Sequence, residues 1–147
     1  MCAQTGKIVS PAIRKTMQSN KSRDTAPEIA VRKMLREAGC PGYRLHWKKV
    51  PGRPDIVFPG RKIAVFVNGC FWHRHKGCKY AYAPKSNLEF WKRKFTDNVS
   101  RDKSSLRALY NMGWTTVTIW ECEIADGQAK DRIAALAEEI RKRLRST

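Results

Sequence analysis

Cys-Phe-Trp-His-Arg-His-Lys-Gly-Cys, residues 70–78, is the stretch around which this chain is organised. It contains two of the five cysteines and two of the three histidines of the chain. Zinc prefers thiolate and imidazole ligands, and Cys70, His75 and Cys78 can face inward on one tight loop. Cys122 follows a β-branched run and could supply the fourth ligand. The alternative is a surface loop with two unrelated thiols, but the density of ligand types favours zinc.

The net charge indicates a polyanionic partner. The chain has 30 Lys and Arg against 13 Asp and Glu, a formal charge of +17. Because neutralising phosphates releases counterions, DNA or RNA is the leading partner, with an acidic membrane surface as the alternative. No apolar run approaches the roughly 18 residues of a membrane span, and residues 1–10 lack a signal core.

Length and cysteine content predict one intracellular domain. A chain of 147 residues can form a single substantial core. We expect a basic N-terminal arm over residues 1–22, with a short helix at residues 10–17, and one folded domain over 23–147. An odd number of cysteines, three of them near histidine or in metal spacing, fits a reduced cytoplasm better than a disulfide framework.

Periodicity predicts a small α/β domain in which helices flank a mixed sheet. The apolar, non-alternating run 63–67 predicts a strand that is buried on both faces. The predicted order is helix 26–38, strands 43–47, 52–58 and 61–67, helix 87–110, strand 114–120 and helix 128–144. Residues 121–123 are expected to close the last strand.

A turn at residues 59–60 predicts a hairpin that places an acid at a functional position. The hairpin brings Asp55 close to Val67 and Asn68 at the far end of the buried strand. An acid there is costly to bury unless it has a function. The alternative is an ion pair between Asp55 and Arg53.

Two other acids have structural explanations. Thr25 and Glu28 have the spacing of a capping box, in which the glutamate reaches back to the amide of the cap residue. Asp102 falls on the apolar face of the long helix, which is predicted to be formed by Leu88, Trp91, Phe95, Val99, Leu106 and Leu109. It is expected to pair with a base, for which Arg101 and Lys103 are the sequence neighbours.

Together these features indicate phosphodiester chemistry. With His75 assigned to the metal, His73 remains free as a general acid or base. A carboxylate such as Asp55 can hold magnesium beside a phosphate.

The chain resembles the very short patch repair (Vsr) endonucleases over about residues 10–123. The resemblance rests on Arg23–Glu28, Pro51–Asp55, Asn68–His73, Glu89–Trp91 and Trp120–Cys122. It implies a restriction-endonuclease-like fold of the PD-(D/E)xK type. It also implies magnesium-dependent nicking of DNA 5′ to the thymine of a T·G mismatch, which arises when 5-methylcytosine deaminates.

The resemblance also implies roles for individual residues. Asp55 resembles the aspartate that binds magnesium, together with the carbonyl of Val67. His73 resembles the histidine that positions or activates the attacking water, and Glu28 a helper. The implied structural zinc ligands are Cys70, His75, Cys78 and Cys122.

Further residues would contact DNA. Phe71, Trp72 and Trp91 resemble aromatics that wedge into the duplex at the mismatch, where insertion costs least. Core packing is the alternative for all three, and it is strongest for Trp91, which lies on the apolar face of a helix. Lys94 and Asn98 are candidates for contacts with base edges or phosphates.

Two positions depart from the family pattern. Asn68 stands where the family typically has histidine, and it cannot relay a proton near neutral pH. It remains in the candidate catalytic set with Asp55, His73 and Glu28, and we expect a slower enzyme or altered substrate demands. Gly77 lengthens the interval between His75 and Cys78, which a loop can tolerate.

Three functions therefore compete. The first is a mismatch-specific nicking endonuclease, for which one active site, and hence a monomer, suffices. The second is a zinc-stabilised mismatch-binding protein with little catalysis, and the third a nuclease of related fold with another DNA target. Mismatch-repair proteins are candidate partners of the first.

Overall fold

The computed structural model describes residues 24–146. The predicted basic arm, with its short helix at residues 10–17, lies outside the described residues. The described part contains α1 (Ala26–Glu37), β1 (Arg44–Leu45), β2 (Ile56–Phe58), β3 (Ile63–Asn68), α2 (Leu88–Asn111), β4 (Thr115–Trp120), α3 (Glu121–Ala125) and α4 (Ala129–Ser146). None of these helices has the length and hydropathy needed to cross a bilayer.

The four strands form one mixed sheet in the order β1-β2-β3-β4. The β1–β2 and β2–β3 pairs are antiparallel, and β3 pairs with β4 in parallel. In β3, residues 63–65 are fully buried and five of the six residues are buried. The predicted mixed sheet, with a central strand that is buried on both faces, is confirmed.

Helices cover both faces of the sheet. On one face α1 and α4 pack against it through Val31, Leu35 and Ile133, which share a core with β2, β3 and β4. On the other face Leu109 of α2 and Trp114 pack against Val57 and Ala64. The sheet edge between these two layers is where the polar site residues collect.

The hairpin between β2 and β3 has the predicted form. A 3₁₀ turn at Pro59–Arg61 ends at Lys62, which has a left-handed conformation with φ 55°. The register pairs Ile56 with Val65. Asp55 therefore lies opposite the end of β3, and its Oδ2 accepts a hydrogen bond from the Val67 amide at 2.7 Å. The predicted approach of Asp55 to Val67 is confirmed.

The loop before Asp55 is packed closely against α2. Gly52 has φ +82°, and a Cβ at this position would lie 2.7 Å from the Cβ of Ser105. Glycine alone satisfies both the backbone conformation and the close approach. This close approach holds the loop before β2 against α2, and it thereby sets the position of Asp55.

Two predictions about local structure are wrong. Residues 121–125 do not close the strand but form the short helix α3, because the Glu123 carboxylate accepts the Trp120 amide at 2.8 Å and starts a helical turn. Leu88 is 64% exposed and does not belong to the buried stripe of α2. It is the first residue of that helix and extends beyond the layer that α2 covers.

Candidate active site and metal centre

A cleft of about 660 Å³ opens at the end of the sheet where the C-terminal end of β3 lies. Its walls come from the start of α1, the loop before β2, the end of β3 and the middle of α2. The polar side chains that line it are Thr25, Glu28, Arg53, Asp55, Asn68, His73, Arg101, Asp102, Ser105 and Glu121. The structure therefore brings together the four predicted catalytic residues, although they come from separate parts of the chain.

Asp55 is the acid at the centre of this cleft. Burial raises the pKa of its carboxyl from the ordinary value to about 7, and the charge of Glu28 adds to this, whereas the Val67 amide, His73 and Arg32 act in the opposite direction. No ion pair joins Asp55 to Arg53 within residues 24–146. A desolvated carboxyl in a cleft that contains three other acids fits a divalent cation held by hard oxygen ligands.

His73 is oriented by an acid on a different element. Its Nδ1 lies 2.6 Å from Oδ2 of Asp102, and both side chains are about one-third exposed. The expected pairing of Asp102 with a base is therefore present, but the base is His73 and not the sequence neighbours Arg101 or Lys103. Sequence neighbours on a helix point in other directions, whereas the loop that carries His73 passes directly over α2. Because the carboxylate accepts from Nδ1–H, the neutral ring keeps Nε2 as a proton acceptor.

One face of α2 supports two adjacent residues of this loop, Trp72 and His73. Asn98 lies one turn before Asp102, is buried, and its Nδ2 donates to the Trp72 carbonyl at 2.9 Å. One turn earlier still, Lys94 is half-buried and is not among the cleft residues. The face of α2 that the sequence indicated as apolar is therefore polar where it meets the cleft. It fixes the backbone of Trp72 and the side chain of His73.

Glu28 is held by a network of four neighbours. It is 3% exposed, and its amide donates to Thr25 Oγ1 at 3.4 Å, while Oε1 accepts from the Asp24 amide at 3.2 Å. Thr25 therefore caps α1 as predicted. The Glu28 carboxylate, however, accepts from the amide of Asp24, the residue before the cap, and not from that of Thr25. Nη2 of Arg32 lies 2.8 Å from Asp24, 3.4 Å from Glu28 and 3.3 Å from His46. The guanidinium thereby supplies the positive charge that this acidic cluster needs.

The Cys/His cluster forms as predicted. The Sγ atoms of Cys70, Cys78 and Cys122 and a ring nitrogen of His75 all lie within 4.8 Å of one another. This spacing could hold one tetrahedral ion, since zinc–sulfur bonds are about 2.3 Å long. Burial raises the pKa of the Cys70 thiol to about 12. A buried thiolate there requires a cation beside it, so the donor set fits a metal.

The cluster connects the loop to α3 and to the end of β4. The Cys122 amide donates to Cys70 Sγ at 3.4 Å, and the His75 amide donates to the Cys70 carbonyl at 3.0 Å. The imidazole of His75 stacks on Trp120 with centroids 4.1 Å apart and planes 7° apart. These contacts fix the ring orientation of His75 before any ion binds.

The three candidate wedge aromatics differ in exposure. Trp91 is 6% exposed and lies beneath Phe71, whose ring is 5.3 Å away. Phe71 and Trp72 are half-buried and both line the cleft. Phe71 also contacts Phe95 at 5.1 Å. In this conformation Trp91 supports the other rings, while Phe71 and Trp72 are the ones adjacent to the site.

Three cleft residues were not foreseen as functional. Asp102, Arg101 and Glu121 carry charges at the cleft wall. Glu121 directly precedes the predicted zinc ligand Cys122 and lies within the Trp120–Cys122 stretch of the resemblance, and these were the available signals for it. For Asp102, its placement among apolar positions of the helix was the signal, because a charged residue there needs a partner.

Comparison with known proteins identifies the family. Residues 7–79 match the family model described as DNA mismatch endonuclease Vsr. The DNA mismatch endonuclease Vsr of Escherichia coli is 35% identical over 126 residues, which cover 86% of this chain and 79% of that protein. The chain belongs to the Vsr family. Its resemblance to that family, first seen in the motifs, is confirmed.

Other Vsr relatives are named as nicking enzymes. The type II nicking enzyme V.XorIIP of Xanthomonas oryzae is 45% identical over 122 residues, covering 83% of this chain and 88% of that enzyme. V.NmeAIP of Neisseria meningitidis is 39% identical over 121 residues, covering 82% and 85%. The family is one of DNA endonucleases, so this Vsr member is a nuclease that acts on DNA.

Proposed function

We propose that this nuclease nicks one strand of duplex DNA 5′ to the thymine of a T·G mismatch, in a magnesium-dependent reaction. The observation that carries the proposal is the cleft in which Asp55, the Val67 backbone and the His73–Asp102 pair meet. The mismatch target is supported by the printed name of the Escherichia coli relative, and single-strand cleavage by the names of the nicking enzymes. The enzyme would act in the bacterial cytoplasm as a monomer.

Individual groups of the chain would have separate roles in this reaction. Asp55 and the Val67 carbonyl would hold magnesium, which supplies positive charge at the phosphate and lowers the pKa of a bound water. His73 would accept a proton at Nε2 from the attacking water, since Asp102 retains the proton on Nδ1. Glu28, fixed by Arg32, would orient the water or the carboxylate of Asp55.

Other residues of the chain would support the active centre and bind the DNA around it. Within a restriction-endonuclease-like domain of residues 23–147, zinc on Cys70, His75, Cys78 and Cys122 would have a structural role. Phe71 and Trp72 would enter the base stack beside the mismatch, with Trp91 packed behind them. Lys94 would contact phosphates or base edges, and the same role for Asn98 requires its Nδ2 to leave the Trp72 carbonyl on DNA binding. The basic arm of residues 1–22 would follow the DNA backbone.

The decisive test is strand cleavage of a labelled duplex with one T·G mismatch, in the presence of magnesium. We expect a nick 5′ to the mismatched T, no nick in a T·A duplex, and no nick by Asp55→Ala. Cleavage of both duplexes at equal rates would contradict the mismatch specificity and indicate a nuclease with another target.

Asn68 favours a second candidate, a mismatch-binding protein with weak catalysis. It is 9% exposed and lines the cleft, but an amide cannot relay a proton. This candidate predicts tight T·G binding without a nick, and cleavage restored by Asn68→His. Nicking by the unaltered chain would exclude it.

Asp102→Asn is expected to lower kcat about 100-fold or more while leaving KM nearly unchanged. The amide can donate to Nδ1, and the ring then adopts the tautomer that lacks an acceptor at Nε2. Single-turnover nicking over a pH range measures the effect. Asp97→Asn, an exposed acid on the same helix, is the matched control and is expected to be neutral. Equal rates for the two variants would remove His73 from the proton-accepting role.

A further inference from the structure

An exposed tyrosine extends the aromatic cluster beyond the cleft. Tyr82 is 60% exposed, and its ring centroid lies 4.9 Å from that of Phe71, with 35° between the planes. One face of the ring is therefore backed by the cluster, while much of the residue remains open to solvent. Tyr82 falls in the connection between the Cys/His loop and α2, where no residue was predicted to be functional.

The backbone beneath this ring is clamped by one arginine. Arg74 donates to the carbonyls of Phe71 at 3.2 Å, Ala81 at 2.9 Å and Tyr82 at 3.2 Å. Its guanidinium also lies 4.0 Å from the ring centroid of Phe95. The exposed ring is thus presented from an ordered support, so that its binding costs little conformational entropy.

The surroundings of Tyr82 are positively charged. No Asp or Glu occurs between Asp55 and Glu89 in the sequence. A second, shallower cleft of about 540 Å³ lies next to the loop, and Arg74, Lys76 and Lys79 are its charged lining residues. Because it has no acidic lining residue, this surface is complementary to phosphate rather than to a basic partner.

We propose that residues 76–82 form a second DNA contact, in which Tyr82 stacks on a base and Lys76 and Lys79 bind neighbouring phosphates. Aromatic rings interleaved with cations match the two faces of a nucleotide, because bases stack on the rings and phosphates pair with the cations. The proposal rests on the proposed function, since the same duplex occupies both clefts. It assigns binding affinity, rather than chemistry, to this loop.

The test is fluorescence anisotropy of a labelled T·G duplex titrated with the full chain carrying Asp55→Asn, so that cleavage does not interfere. Adding Tyr82→Ala is expected to raise Kd about tenfold, whereas Tyr82→Phe, which keeps the ring, should stay within about twofold. Tyr110→Ala is the matched control, because Tyr110 is 78% exposed near the other end of α2. Replacing Lys76 and Lys79 by alanine is expected to reduce the slope of log Kd against log salt by about 2.

A second measurement requires no substitution. Nitration of tyrosines in the natural chain, mapped by mass spectrometry, is expected to be blocked by duplex at Tyr82 and not at Tyr110. Equal Kd for Tyr82→Ala and its parent, or unprotected Tyr82, would overturn the second contact. If the natural chain shows no T·G preference or no nicking, the proposed function is contradicted instead. The Kd of Tyr82→Ala against that of its parent, measured on any duplex, would still decide this proposal.

Discussion

Asp55→Asn is expected to abolish nicking and to make the metal-free protein more stable at pH 8. The loss of activity should exceed about a thousandfold, because a metal-binding carboxylate is worth several kcal/mol of transition-state stabilisation. The gain in stability has a separate cause. Asparagine can still accept the Val67 amide through Oδ1, but it carries no charge to desolvate.

The sign of the stability effect follows from the raised pKa. In the folded chain the pKa of Asp55 is about 7, against an ordinary value of 3.8. Between these values the folded state retains a proton that the unfolded state has lost, so this group lowers the free energy of unfolding as pH rises from about 4 to 7. At one pKa unit per 1.36 kcal/mol, the penalty at pH 8 is about 2–4 kcal/mol.

Urea unfolding of both proteins at pH 5 and pH 8, without magnesium, measures this effect. The difference between Asp55→Asn and the natural chain should be larger at pH 8, and Asp97→Asn should show no such pH dependence. A variant that is less stable than the natural chain at pH 8 would show that the Asp55 carboxylate is stabilised rather than penalised. Added magnesium should reduce the difference, since it binds only the natural site.

Cys70→Ser is expected to lose the bound metal and to lower the melting temperature by more than about 10 °C. Cys70 is fully buried and contacts both His75 and the Cys122 amide. A structural zinc ion contributes about 10–16 kcal/mol in small peptides, comparable with the whole stability of a domain. Without it the loop that carries Phe71 and His73 would lose its connection to Cys122 of α3.

Metal content and thermal unfolding of the purified variant test this expectation. Cys40→Ala is the matched control, because Cys40 is also buried, at 3% exposure, but lies outside the cluster. It should keep one equivalent of zinc and melt within a few degrees of the natural chain. Full metal content in Cys70→Ser, or an equal loss in both variants, would contradict a tetrahedral site that includes Cys70.

The candidate site lowers the free energy of unfolding of the metal-free chain. Asp55 is desolvated beside Glu28, and Cys70 is a thiol with a strongly raised pKa. Both groups become favourable when a cation is present. Metal binding is therefore expected to stabilise the folded state as well as to enable the chemistry.

The sequence alone determined the parts of the structure that depend on local pattern. The strand at residues 63–67, the turn at 59–60 and the grouping of Cys70, His75 and Cys78 follow from hydrophobic runs, turn residues and ligand spacing. The position of Asp55 opposite Val67 also follows, since a hairpin leaves only one register that keeps β2 and β3 buried.

Only the tertiary structure decided which distant side chains meet. The pairing of His73 with Asp102, the burial of Trp91 beneath Phe71 and the exposure of Tyr82 depend on how α2 lies against the Cys/His loop. Helical periodicity states which residues share a face, but not which loop crosses that face. That choice is made by packing between segments far apart in sequence, which explains why the pairing of His73 with Asp102 was missed while the grouping of the cysteines with His75 was predicted.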